Sequence, residues 1–172
     1  MSDDPSPAAT GAPSPAGAEV IDVPIFGIPV AIWSRTQEHI DELLREFTLM
    51  AAQLRDRPDE SLDVPVRLVE LVKELTQNYG GLNTDQENRL SCAAEAGVEE
   101  IDLVYRVPRE AASAVVRLQI ALDEADAYCR AGQHLLTLAT PPELTRFRRW
   151  MLEEFTNQLE GAAPTPYPEY HR

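Results

Sequence analysis

Along most of this chain the apolar residues recur every three or four positions, the spacing that lines up one face of an α-helix. The longest such pattern runs from Arg109 to Ala131. Its apolar residues fall at Ala111, Val115, Leu118, Leu122, Ala125 and Cys129, a continuous stripe along about six turns. Pro108 precedes it, where a missing N–H costs nothing, and Gly132 supplies a permissive stop. A second row, Ala114, Ala121 and Tyr128, widens the stripe, so this helix can face more than one neighbour. The pattern predicts the central rod of a helical bundle.

Four shorter patterns flank it. Ser34 with Gln37 has the form of a capping box ahead of Ile40, Leu43, Leu44, Phe47, Met50 and Leu54, and Pro58 with the acidic run Asp59–Asp63 ends that helix. Pro65 opens a second through Val66, Val69, Val72 and Leu75, stopped by Gly80-Gly81. Thr84 with Glu87 starts a third that reaches Gly97, with Asn83 as a rival cap. Thr140-Pro-Pro-Glu143 combines an N-cap, a first-turn proline and a capping-box glutamate, and launches a helix carrying Leu144, Phe147, Met151, Phe155 and Leu159. Trp150 and Leu152 lie beside that stripe, and Gly161 closes it.

Two stretches break the helical period. Ile101, Leu103, Tyr105 and Val107 alternate with mostly polar residues, as in a half-buried strand. Val20–Trp33 is β-branched and punctuated by proline, which suits an extended segment over the bundle, though Pro29 could equally begin a longer helix. The two stretches can pair as a small sheet, or Ile101–Val107 can be an extended linker. Residues 1–18 hold no large hydrophobe and are expected to form a disordered arm. Gly132–Ala139 reads as a connector whose Leu135, Leu136 and Leu138 tuck against the core. Residues 161–172, with three prolines, read as a flexible tail. The expectation is one mainly α domain over residues 20–160, a single bundle of about five helices with room for a minor two-stranded element.

Composition narrows the partners. In 172 residues the formal net charge is −14, a field that repels nucleic acid and anionic membranes and admits a partner with a basic patch. Lys73 is the only lysine, and the arginines are scattered without forming a patch. No basic region followed by an apolar segment opens the chain, and the longest apolar run, Val23 to Trp33, is broken by Pro24 and Pro29. These features predict a soluble cytoplasmic protein.

Candidate chemistry is sparse. A di-metal bundle needs Glu-x-x-His motifs, whereas His39 precedes Glu42, His134 falls in a connector and His171 in the tail. Glu38, Glu70, Asp123 and Asp126 read as a solvated face. Cys92 and Cys129 sit on apolar sides of predicted helices and read as small buried hydrophobes. Cys129 beside Tyr128 and His134 is the only Cys/His proximity, and a cysteine on an apolar stripe lacks the electropositive setting that reactivity needs. Gly80-Gly81 is a helix stop, not a phosphate loop. The expectation is no catalytic residue, no metal and no cofactor. Two features point to protein contacts. Arg146, Arg148 and Arg149 surround Phe147 and Trp150, a mixture enriched at interfaces; the plainer reading is an amphipathic helix whose arginines pair with nearby acids. Asp123-Glu-Ala-Asp126 with Tyr128 forms an acidic edge.

The runs Glu38-His-Ile-Asp-Glu-Leu-Leu-Arg-Glu-Phe47, Ile101-Asp-Leu-Val-Tyr-Arg-Val-Pro108, Leu122-Asp-Glu-Ala-Asp-Ala-Tyr-Cys-Arg130 and Leu135-Leu-Thr-Leu-Ala-Thr-Pro-Pro-Glu143, the last continuing into Phe147-Arg-Arg-Trp150, resemble a family of small actinobacterial helical proteins. Its members tend to be encoded near anti-sigma-factor antagonists, regulatory ATP-binding proteins and serine phosphatases of partner-switching systems. The resemblance covers most of residues 23–160. It implies a regulatory setting and brings no functional residue with it. The function expected from all this is a non-enzymatic regulatory or adaptor protein acting through a protein partner or self-association. The alternative is a small-molecule sensor or enzyme with a pocket between the central and C-terminal helices. A flat exposed patch holding Trp150 would favour the first, and a deep apolar pocket with a few polar groups the second.

Overall fold

The computed structural model describes residues 19–54, 63–131 and 139–168. In chain order these form β1 (Val20–Pro29), α1 (Val30–Leu54), α2 (Asp63–Tyr79), α3 (Thr84–Glu95), β2 (Glu100–Pro108), a single 3-10 turn (Arg109–Ala111), α4 (Ala112–Arg130) and α5 (Pro142–Leu159). The mainly α architecture with a minor two-stranded sheet matches the sequence expectation. The expected disordered arm, the 132–138 connector with its three leucines, and His134 and His171 lie outside the described residues.

The two non-helical stretches pair antiparallel, with Val23 opposite Tyr105, Ile25 opposite Leu103 and Ile28 opposite Ile101. Alternation places Val23, Ile25, Leu103, Tyr105 and Val107 on one buried face. The register slips between Ile25 and Ile28. There Gly27 takes φ +66, which only glycine adopts cheaply, and its N–H donates to Asp102 Oδ1 at 2.8 Å. Both alternatives left open for Pro29 hold in part, because the strand runs through it and the helix starts at the next residue. Ser34 therefore lies a turn inside α1, and the expected Ser34–Gln37 capping box is not a helix start.

Two other caps also differ. Asn83, not Thr84, occupies the cap position of α3, and no side-chain cap bond forms there. At α5 the cap is Pro141, again without a side-chain bond. Glu143 instead pairs with Arg35 at 2.7 Å, and Thr140 turns inward to Asp126. At α5, tertiary partners take up both residues of the expected capping box; at α3 the Thr84 hydroxyl donates to the carbonyl of nearby Gly81 at 3.3 Å.

Two apolar clusters fill the domain. One lies under the sheet, where Val23, Ile25, Ile28, Leu103 and Tyr105 meet Leu90 of α3 and Phe147 and Leu159 of α5. The other lies among helices, where Leu43 and Phe47 of α1 meet Leu68 and Val69 of α2 and Leu122, Ala125 and Cys129 of α4. The stripe read on the central helix is the stripe that α4 buries, with Ala111, Leu122, Ala125 and Cys129 all covered. Cys92 departs from expectation: it is exposed.

Candidate functional site

α5 ends on Gly161 at φ +99. Gly161 N–H donates to Gln158 O at 3.0 Å and Ala162 N–H to Asn157 O at 2.9 Å, the paired bonds of a Schellman turn. That turn folds the chain back along α5, so residues 162–168, expected to be a loose tail, are fastened to the domain. Trp150 Nε1 donates to Thr165 O at 3.1 Å, while Thr165 N–H donates to Glu154 Oε2 at 2.9 Å. Two residues on, Tyr167 N–H donates to Phe26 O at 3.2 Å beside the β1 bulge. The Tyr167 ring packs edge-on against Phe147 and Trp150, with centroids 5.6 and 4.9 Å away. Glu154 is only 5% exposed, and its carboxylate also accepts from Gln158 Nε2 at 2.9 Å, whose amide reaches Pro24 O as well. The result is a groove between one face of α5 and β1 that holds an extended polypeptide.

The arginines named from sequence separate. Arg146 is exposed. Arg149 reaches Asp123 Oδ2 at 3.1 Å near the surface. Arg148 is 5% exposed and lies inside, with Nη2 2.7 Å from Asp123 and 3.0 Å from Asp126. Asp126, expected on a solvated face, is 2% exposed. Its second oxygen accepts from both the N–H and the hydroxyl of Thr140. Since that hydroxyl has one proton, His39 Nε2, 3.0 Å from Thr140 Oγ1, must be the donor to it. The chain His39–Thr140–Asp126–Arg148 thus ties α1, α4 and α5 together. Burial holds the His39 imidazole below its ordinary 6.5, against the opposing pull of Asp126 and Glu42. The cluster pairs the buried charges of Arg148 and Asp126 through Nη2, while Arg148 Nε is buried without a hydrogen-bond partner. Cys129 is similarly withdrawn, its thiol pushed up to about 11, first of all by burial.

A third feature lies where α5 meets α4. A cavity of about 210 Å³ is walled by Tyr79 of α2, Ala114 and Leu118 of α4, and Leu152 and Phe155 of α5, with Asn83 from the turn before α3. This is the place the sequence assigned to an alternative pocket. Its walls hold no charged residue. Among the described residues no three His, Cys, Asp or Glu side chains are grouped to hold a metal, and no helix is long and apolar enough to cross a membrane.

Sequence reasoning named Trp150 but missed Glu154, Thr165 and Tyr167. The available signal was the four-residue spacing of Trp150 and Glu154, which puts a donor and an acceptor on one helix face. Comparison with protein-family models, curated proteins and solved structures gives no match for this chain.

Proposed function

We propose that this protein is a non-enzymatic regulatory or adaptor protein that works through protein–protein contacts, and that its working surface is the groove between α5 and β1. One observation carries the reading: Trp150 and Glu154, a helical turn apart, take up both backbone polar groups of a single extended residue, Thr165. Side chains that read backbone grip a segment regardless of its side chains, while the aromatic box around Tyr167 adds selectivity. The segment so held, Pro164-Thr-Pro-Tyr-Pro168, is stiffened by proline, which lowers the cost of ordering it. A partner offering a similar proline- and tyrosine-bearing segment fits the same groove, and a basic one is drawn by the net charge of −14. The resemblance to proteins encoded beside partner-switching regulators suggests stress or sigma-factor signalling as the setting.

In the intact chain the tail competes as a tethered ligand at an effective concentration on the order of millimolar. The test is a titration of a peptide with the sequence of residues 161–172 into a chain ending at Gly161, after melting shows that chain folded. Binding that Glu154→Ala and Trp150→Ala each abolish supports the groove. A folded, truncated chain that ignores the peptide refutes it.

A further inference from the structure

The segment lying in the α5–β1 groove is held at alternate residues. Thr165 and Tyr167 turn their N–H groups to the domain, the first to Glu154 Oε2 at 2.9 Å and the second to Phe26 O at 3.2 Å. Pro164, Pro166 and Pro168, which have no N–H to offer, fall between and beside them, and all three are exposed. The two gripped residues differ in what is recognised. Tyr167 sets its ring against Phe147 and Trp150. Thr165 is held by its backbone and is otherwise exposed.

Two independent observations turn this alternation into a selection rule. The first is Glu154. Its carboxylate is 5% exposed and, among the described residues, accepts from Gln158 Nε2 and from Thr165 N–H alone. A segment that brings no donor to that point leaves a buried carboxylate short of one, which is costly. The second is the spacing of the prolines. Sliding the segment by one residue in either direction sets a proline against both Glu154 and Phe26, so both bonds are lost together. Sliding by two keeps an N–H at each place but carries the tyrosine ring away from Phe147 and Trp150. Backbone chemistry excludes the odd slips, and the ring excludes the even ones.

On the reading that this groove is the working surface, we infer that it takes partners in this one register, as a linear segment X-Pro-aromatic flanked by further prolines. X is any residue except proline, and the aromatic is tyrosine or phenylalanine. Because Thr165 is gripped through its backbone, the side chain of X is open to choice, and a chain of −14 net charge favours a basic one. The prolines then act twice. They lower the cost of ordering the segment, and they penalise every neighbouring register.

The experiment uses the full chain carrying Thr165→Pro. The substitution lies outside every helix and strand, so the cores are left intact while the N–H that Glu154 accepts is removed. Release of the tail should shift the Trp150 indole N–H resonance and remove exchange protection from the Tyr167 amide. Four peptides spanning residues 161–172 are then titrated into that chain: unchanged, Thr165→Ala, Thr165→Pro and Tyr167→Ala. The first two should bind alike. The Thr165→Pro peptide should bind at least about tenfold more weakly, the loss of one hydrogen bond to a charged group, and Tyr167→Ala should also weaken binding. Should the Thr165→Pro chain not melt cooperatively, the full chain carrying Tyr167→Ala, which keeps both N–H groups and loses the ring, serves as receptor. A Trp150 resonance unmoved by Thr165→Pro overturns the inference. If the unchanged peptide binds and Thr165→Pro or Tyr167→Ala binds as tightly, the groove stands as a docking surface and the register falls. Binding by none of the four refutes the groove and the register together.

Discussion

Under the sheet, the core is assembled from residues far apart in the chain. Val23 and Ile25 at one end, Leu103 and Tyr105 in the middle, and Phe147, Phe155 and Tyr167 towards the other end all meet there. Between the helices, the core is built from regular stripes on α1, α2 and α4, with small Ala125 and Cys129 where the rods approach. The first core is rich in aromatics and ends in the peptide groove. The second ends in the buried ionic chain of Asp126 and Arg148, which fixes how α4 and α5 cross. One side therefore offers adaptable aromatic surface, and the other offers rigidity to hold it. The 210 Å³ cavity lies on the seam, lined by Tyr79 and Phe155 of the first cluster and Leu118 and Leu152 of the second.

The largest effects expected come from breaking either core. Phe47→Ala, at a side chain 0% exposed, should cost about 3–5 kcal/mol, and Ile25→Ala, at 1%, about 2–5. Denaturant melts read by both far-ultraviolet dichroism and tryptophan fluorescence should show one shared transition for each variant. Two separated transitions would mean that the cores fold as distinct units. Next is the ionic chain. Asp126→Ala removes the fully buried one of Arg148's two carboxylate partners and leaves it Asp123 alone, a loss of up to about 3–5 kcal/mol, and adding Arg148→Met should restore much of it. A double variant no better than the single one would show that the arginine is not what suffers.

On the sheet side, Trp150→Ala removes a half-buried ring and one hydrogen bond and should cost about 1–3 kcal/mol. If residues 162–168 are truly held there, proteolysis of the tail should accelerate in the same variant. A smaller, pH-dependent effect comes from His39. Because its folded-state value is lowered, the unfolded chain takes up the proton first. Stability should thus fall as pH drops from the unfolded value near 6.5 to the lowered folded one, and stay level above it. His39→Gln should flatten that segment of a melting-temperature profile. The smallest effect is expected at Arg117→Ala, whose pair with Glu74 lies in solvent, so the melting temperature should stay close to that of the parent chain.

How much of this could be read beforehand follows the same division. The α4 stripe and the α1 stripe were legible because helical periodicity is a local property, and Leu122, Leu43 and Phe47 are buried as it requires. The sheet was half legible: alternation named Ile101–Val107 and β-branched composition named Val20–Trp33, but their pairing across three intervening helices stood level with an extended linker. Of the groove only Trp150 was legible, because Glu154 and Thr165 mean nothing until the turn at Gly161 brings them together. Asp126 and Arg148 were misplaced for a similar reason. Each is polar and ordinary in isolation, and only their mutual contact lets both be buried. The cap signal at Thr140 failed because its hydroxyl turns to Asp126, that at Ser34 because the helix already begins at Val30, and that at Thr84 because its hydroxyl turns back to the Gly81 carbonyl.

The pairing of β1 with β2 also has a kinetic side. Gly27 and Asp102 are 75 residues apart, so the sheet can close only after α1, α2 and α3 have been made and gathered, and closing so large a loop is slow. During synthesis β1 leaves the ribosome long before its partner exists, a bare strand with Val23, Ile25 and Ile28 uncovered. Pro24 and Pro29, which cannot donate to a neighbouring strand, and the charge of Asp22 stand within that stretch. They interrupt the unbroken donor row that a second nascent chain would need for edge-to-edge association. The residues that made this strand hard to recognise in the sequence are thus the ones that keep it from sticking while it waits.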